Sequence, residues 1–334
     1  MKTELVMGDS IFELLSSEWD GLASHGMTDT PFQTLAYQRA WWTHLKPEGA
    51  ALLSIVTRSD EGTLLGIGCF YARDGQLHFN GCIEETDYLD LITPADQAKE
   101  VWQATWECLV AEGFPAWRVL ELCNVPAASP TRTILPELAR TRGLEIDESV
   151  NEVCPVIQLP ITFDDYLSML DSKQRRELSR KLRRAEAADV VTTVIDAGAG
   201  LDVEVDDFLD LLQKSTFEKR DWLNGGRRAL FHEVAQAAQD AGTLQLMFTS
   251  IEGRRAAGLF NFDYRDRIWV YNSGLDPAAF AALSPGLVLT ATAIQHAIES
   301  GRKEFDFLRG DEEYKYRFGA VDTRIYRLRV VRSG

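Results

Sequence analysis

AAGLFNFDYRDRIWVYNSG, residues 256–274, reads as two strand-forming arms joined at Arg265-Asp266. Aromatic and β-branched side chains dominate both arms, and a polar pair between such arms reads as a tight hairpin turn. The preceding run, TLQLMFTSI (243–251), closes on Glu252-Gly253, so the region reads as a meander of three strands. Earlier in the chain, LLGIGCFYARDGQLHFNG (64–81) can be laid on residues 256–273 at a constant shift of 192 residues. Gly66 then falls on Gly258, Phe70 on Phe262, Arg73-Asp74 on Arg265-Asp266, Phe79 on Tyr271 and Asn80 on Asn272. Hairpins also share Gly, Asp and aromatics by chance, but the elements around these two recur in order, which favours a duplicated mixed α/β fold with lobes at 1–150 and 151–334.

Outward from the meander, the periodicity predicts a strand at VCPVIQL (153–159), a helix over 163–187, a strand near VVTTVID (190–196), and helices over 205–219 and 227–241. After the meander come a helix over 285–300, the strand KEFDFL (303–308) and a last strand, TRIYRLRVV (323–331). With 334 residues and 45% apolar content, the chain can fill two cores. The formal net charge of −16 disfavours non-specific binding to nucleic acid or to an anionic membrane. The start, MKTELVMGDSIFELL, lacks a basic segment followed by an apolar run, and no later stretch reads as a membrane span. A soluble, cytoplasmic protein is expected. The five cysteines are odd in number and widely spaced among apolar neighbours, which favours reduced core thiols. His232-Glu233 lacks a second histidine, so no metal is expected.

The two copies differ after the hairpin. In the second, Tyr271-Asn272-Ser273-Gly274 leads to LSPGLVLTATAIQHAIESG (283–301). Ser284 suits an N-cap, Pro285 the first helical position, and Gly286 a close approach of ligand to backbone. No acidic side chain occupies the first turn, which leaves its N–H groups and dipole open to an anion. The first copy reads GCIEETDYLD (81–90) at the same place, with Glu84, Glu85, Asp87 and Asp90. A phosphate-bearing ligand is therefore assigned to the second lobe, on Tyr271, Asn272, Ser284, Pro285, Gly286 and Leu287. Ser-Pro-Gly alone would serve equally as an ordinary helix start.

The order of strand, helices, three-stranded meander, helix and strand, with an anion-ready helix start, resembles the GNAT superfamily of N-acyltransferases. DYLDL (87–91), CPVIQLP (154–160), SKQRRELSRKLRRAE (172–186), SPG (284–286) and above all FDFLRGDEEYKYRFG (305–319) resemble its CelD-like branch, which is similar in its two-lobed layout to the Fem aminoacyltransferases. The resemblance implies transfer of an acyl group from acetyl-CoA or another acyl-CoA to an amine or hydroxyl of a small-molecule acceptor, without a metal. The family's usual phosphate loop, a Gln or Arg followed by spaced glycines, is replaced here by residues 278–286.

Such a transfer needs a base, donors for the developing oxyanion and a proton source for the thiolate. FDFLRGDEEYKYRFG offers Glu312 as base, with Asp311 second. It also offers Arg309 and Lys315 as anchors for phosphate or an acceptor carboxylate, and Tyr314 or Tyr316 as acid. The same residues would equally serve as ion pairs fixing a turn. Seven basic residues between Lys173 and Arg184 occupy the polar faces of a helix, and Arg175 and Arg176 are the two assigned to a phosphate or anionic acceptor. Asp87 and Asp90 are expected to steer a cationic acceptor. Trp222, in the turn-rich link 220–226, fits a substrate lid or an ordinary connection. The remaining function classes are a non-catalytic acyl-CoA-binding module and a Fem-type aminoacyl-tRNA-dependent transferase.

Overall fold

The computed structural model describes residues 1–82, 84–195 and 200–332, and the chain divides into two compact units. The first comprises Met1–Val153 and the C-terminal strand from Arg324 onward, and the second Cys154–Thr323. The expected 151–334 lobe thus cedes its last strand to the first unit.

The first unit runs through β1 (Lys2–Met7), α1 (Ile11–Leu14), α2 (Trp19–Ala23), α3 (Leu35–Leu45), β2 (Ala51–Arg58), β3 (Leu64–Arg73), β4 (Gln76–Phe79), α4 (Ala98–Val110), β5 (Val119–Pro126) and α5 (Thr131–Thr141) into β6 (Glu145–Gln158). The second follows with α6 (Phe163–Met169), α7 (Ser172–Glu186), β7 (Val191–Val194), α8 (Leu201–Ser215), α9 (Phe217–Trp222), α10 (Gly225–Asp240), β8 (Leu244–Ile251), β9 (Arg254–Tyr264), β10 (Arg267–Leu275), α11 (Pro285–Glu299), β11 (Glu304–Asp306) and α12 (Glu313–Arg317), leading into β12 (Val321–Val331).

Strand order is β1-β2-β3-β4-β5-β12 in the first unit and β7-β8-β9-β10-β11-β6 in the second. Each order begins with antiparallel neighbours, has one parallel pair (β4 with β5, β10 with β11) and ends antiparallel. The two units are therefore the same mixed α/β arrangement met twice.

The two hairpins match in kind but not in the expected register. Arg73 pairs with Gln76 around Asp74-Gly75, and Tyr264 with Arg267 around Arg265-Asp266. Both central residues of each turn have positive φ, 51° and 75° in the first and 51° and 42° in the second, as the strand twist demands of a two-residue loop. The structural shift is thus one residue shorter than the sequence alignment. A one-residue slip exchanges the faces of a strand, so the Phe70 and Phe262 identity does not mark equivalent positions.

The expected helix over 163–187 is two helices. Leu170 is extended and buried, and the Asp171 carboxylate caps α7 by accepting from the Lys173 and Gln174 N–H groups at 2.8 and 2.9 Å. Likewise the Thr216 hydroxyl caps α9, and the Asn224 side chain caps α10. The span Ala281–Glu299 is long and apolar enough to cross a membrane by length and composition, which the sequence reading did not anticipate. In the second unit α11 is a core helix. Leu289, Ala291, Ala293, Ile294 and Ala297 pack in one cluster with Met247, Leu259, Ile268 and Phe305, and each large aliphatic side chain buried there contributes about 1.5–3 kcal/mol. Cys82 and Cys123, expected as separate thiols, form a disulfide with Cα atoms 6.0 Å apart. Of the expected strand at 190–196, Asp196 lies outside the described residues.

Candidate functional site

The site begins where two parallel strands part. β10 and β11 pair only from Arg267 with Glu304 to Trp269 with Asp306. β11 then ends, while β10 passes through a bulge between Val270 and Asn272 and continues to Leu275. The gap is a pocket of about 250 Å³. Ser273 and Gly274 of β10, Gly286 and Leu287 of α11, and Phe307 and Tyr314 beyond β11 are among the residues that wall it.

The freed segment of β10 is held in place from outside the sheet. Asp276 N–H bonds to Ala256 O on the β9 side at 3.0 Å. By strand alternation the polar groups of Ser273 and Leu275 then face the opposite, unpaired edge. Leu275 N–H donates to Ser215 Oγ at 2.7 Å, and Ser273 O accepts from Lys219 Nζ at 2.7 Å. Gly274 lies against the backbone of α8, where an added Cβ would stand 2.6 Å from Leu212 N. Burial pushes the Lys219 ammonium down to about 8. Glu312 opposes that shift and Lys315 adds to it.

The loop after β11 is built around Lys315, which is 2% exposed. Its Nζ donates to the carbonyls of Leu308, Arg309 and Gly310 at 3.3, 2.6 and 3.1 Å and pairs with Glu312 Oε2 at 2.8 Å. Leu308 and Gly310 take positive φ of 57° and 107° so that these carbonyls converge. A Cβ on Gly310 would meet Glu312 Oε2 at 2.5 Å, so glycine also makes room for that carboxylate. Lys315 is therefore committed to the loop, not open as an anion anchor.

The other expected site residues fall as follows. Gly286 and Leu287 wall the pocket, and Pro285 opens α11, whose first turn holds no acidic side chain. Ser284 stands at the N-cap position, but with left-handed φ of 53° and no side-chain cap, unlike the expected extended capping serine. Tyr271 sits on the bulge and is buried against Phe231, Phe260 and Phe262 at 5.2–5.8 Å between ring centroids, away from the pocket walls. Asn272 follows it, half-buried and paired with Phe260. Glu312 and Asp311 are exposed, and Arg309 is half-buried.

Tyr316 donates its hydroxyl to Asp322 Oδ1 at 2.8 Å, and that carboxylate pushes the phenol up to about 12. Tyr314 is the tyrosine that reaches the pocket. Its ring stands edge-on to Phe307 with 40% of the residue still exposed, and partial loss of solvent together with Glu312 pushes its phenol above the usual range. Arg175 and Arg176 are exposed on α7. Trp222 carries the Arg227 guanidinium over its ring at 4.7 Å and borders Phe231, which gives it a packing role.

Asp87 and Asp90 belong to the first unit and are buried, which corrects the reading of an open acidic patch. Asp90 accepts from Thr28 Oγ1, Thr131 Oγ1 and its neighbour's Leu91 N–H at 2.9, 2.6 and 2.9 Å, and burial pushes its carboxyl up to about 6. Among the described residues no cluster of three or more His, Cys, Asp or Glu is arranged to hold a metal. Sequence reasoning missed Lys219. It reads there as the final residue of a helix with no motif around it, and only the path of α9 brings it to β10.

Residues 172–316 match the family model described as Acetyltransferase (GNAT) domain. Solved structures share the fold at low identity. FemX superposes with a TM-score of 0.66 and 11% identity, over 98% of this chain and 97% of that one. L-PGS from Bacillus licheniformis gives 0.56 and 12%, over 84% of each chain. A tandem GNAT protein from the clavulanic acid biosynthesis pathway gives 0.50 and 10%, over the whole of both. A search of the curated proteins found no match. The chain is thus a mixed α/β protein that shares its fold with these structures, and its residues 172–316 are similar to the GNAT acetyltransferase domain.

Proposed function

We propose that the second unit binds acyl-CoA in the gap between β10 and β11 and transfers its acyl group to an amine or hydroxyl of a small-molecule acceptor. The observation that carries this is the pairing of that gap with the start of α11. An apolar slot beside a strand edge that carries no neighbouring strand suits an extended amide-bearing arm, and a helix start without an acidic side chain suits its diphosphate. Acyl-CoA, when bound, supplies an activated acyl carbon with a thiolate leaving group. The backbone N–H groups of the first turn, with Gly286 leaving their approach open, hold the phosphates. Glu312, exposed beside the pocket residue Tyr314 and steadied by Lys315, takes a proton from the acceptor. Tyr314 keeps its proton through neutral pH and donates a hydrogen bond toward the leaving sulfur.

The first unit is read as the copy without a donor site, because the helix between its parallel strands, α4, carries Glu100 in its first turn. The finer affiliation with the CelD-like branch, and with it a cytoplasmic role in polysaccharide or envelope synthesis, rests on the motifs quoted above. A second reading, aminoacyl-tRNA-dependent transfer of the Fem kind, draws on the likeness to FemX over nearly the whole chain. Release of free CoA thiol from a panel of acyl-CoAs, measured with and without amine acceptors, tests the proposal. Acceptor-dependent release supports transfer. Binding without release points to a non-catalytic module. No binding, with acyl transfer from aminoacyl-tRNA, favours the second reading.

A further inference from the structure

The Lys219 amine is bonded to the backbone of a residue that walls the pocket assigned above to the donor. Ser273 O, its acceptor at 2.7 Å, belongs to the unpaired edge of β10, and the Ser273 residue itself walls the pocket. An extended amide-bearing arm that pairs with this edge would share that carbonyl with Nζ or displace it, and either way would lie beside the amine. The contacts that hold the edge are specific: Ser215 on Leu275 N–H, Gly274 against the Leu211 and Leu212 backbone, and Lys219 on Ser273 O. The carboxylate of Glu312 and the ammonium of Lys315 both act on Nζ electrostatically from the loop after β11.

We propose that Lys219 is a self-acylation site, whose amine takes the acyl group of a thioester bound in the β10–β11 pocket. The proposal rests on the acyl-CoA reading of that pocket. The Nζ lone pair attacks the thioester carbonyl carbon and the C–N bond forms. The C–S bond breaks with its electron pair on sulfur, and the proton lost from Nζ ends on the thiolate. The products are one Nε-acyl-lysine and one free thiol, and no other reactant is needed. The physical chemistry favours this amine over the others. At about pH 7.5 a lysine titrating near 8 has a neutral fraction ~10²-fold above one at the ordinary 10.5. An acylated Lys219 loses its charge and all but one of its N–H donors, so the modification also reports on donor loading.

The test is peptide mapping by mass spectrometry after the full chain is incubated with acetyl-CoA, alongside calorimetry of acetyl-CoA binding to the same protein. Lys303, 76% exposed at its side chain, is the internal control. The expected result is acetylation of Lys219 at least about tenfold faster than of Lys303, suppressed by excess CoA at Lys219 but not at Lys303. Binding by calorimetry with Lys219 labelled no faster than Lys303, or labelled equally in excess CoA, overturns the self-acylation and leaves the pocket reading standing. No binding at all overturns both.

Discussion

Replacing Lys315 separates two roles that the sequence could not tell apart. If the residue clamps the loop, its removal costs stability; if it anchors an anion, its removal costs affinity. Three carbonyls and one carboxylate share its Nζ at 2.6–3.3 Å. Glu312 is 58% exposed at its side chain, so that ion pair contributes at most about 1 kcal/mol. The charged hydrogen bonds to Leu308, Arg309 and Gly310 contribute more, about 1.5–3 kcal/mol each taken singly, but water replaces part of the loss at the less buried carbonyls. Lys315→Met keeps the packed stem and removes only the donors, so it should cost about 3 kcal/mol. Lys315→Ala also removes the packed stem and should cost about 5 kcal/mol or more. Urea unfolding followed by circular dichroism reads this as a midpoint lowered by about 1 M or more in the transition of the second unit. A wild-type midpoint in both variants, with acyl-CoA affinity lost, would refute the clamp and restore the anion anchor.

Glu312→Gln should fold as the wild type does and lose about 10²-fold in acceptor-dependent thiol release, the scale of a removed general base, whereas unchanged turnover removes Glu312 from the chemistry. Gly286→Ala places its Cβ 3.7 Å from Leu275, an ordinary contact, so it should be tolerated. Gly286→Glu should abolish calorimetric acyl-CoA binding by adding charge at the helix start, and equal affinity in the two variants contradicts the phosphate placement. Gly274→Ala drives a Cβ into the α8 backbone at 2.6–2.8 Å and should destabilise the second unit by about 1–3 kcal/mol in urea unfolding. Asp90, raised from 3.8 to about 6, contributes stability that is fully present below 3.8 and lost as pH rises through about 6, a change of about 3 kcal/mol. Asp90→Asn should therefore flatten the fall in stability of the first unit between those values, and parallel pH profiles for wild type and variant would contradict the shift.

The repeat was legible because hairpin periodicity and element order survive in each copy, and so was the placement of KEFDFL beside RIWVYNSG, which the β10–β11 register bears out. The start of α11 was readable from Ser284-Pro285-Gly286, though the left-handed serine was not, since backbone sign leaves no trace in a residue that also caps helices. The hairpin alignment went wrong by one residue because Gly, Asp and aromatics recur in both turns. Which pair of residues forms the loop is set by pairing, not by identity. Charge was the least readable property. Lys315, Asp87 and Asp90 look like surface groups in the sequence, yet three backbone carbonyls draw the first inward, and hydroxyls and an N–H do so for Asp90. Lys219 and the strand from Arg324 onward depend on where distant chain segments pass, which no local pattern encodes.

Hydrogen–deuterium exchange of the full chain with and without acetyl-CoA reads out where the donor binds. New protection is expected of the backbone amides at 270–275, at the first turn of α11 and across 307–318, with the first unit unchanged. Protection confined to the first unit, or none at saturating acetyl-CoA, would contradict the donor placement.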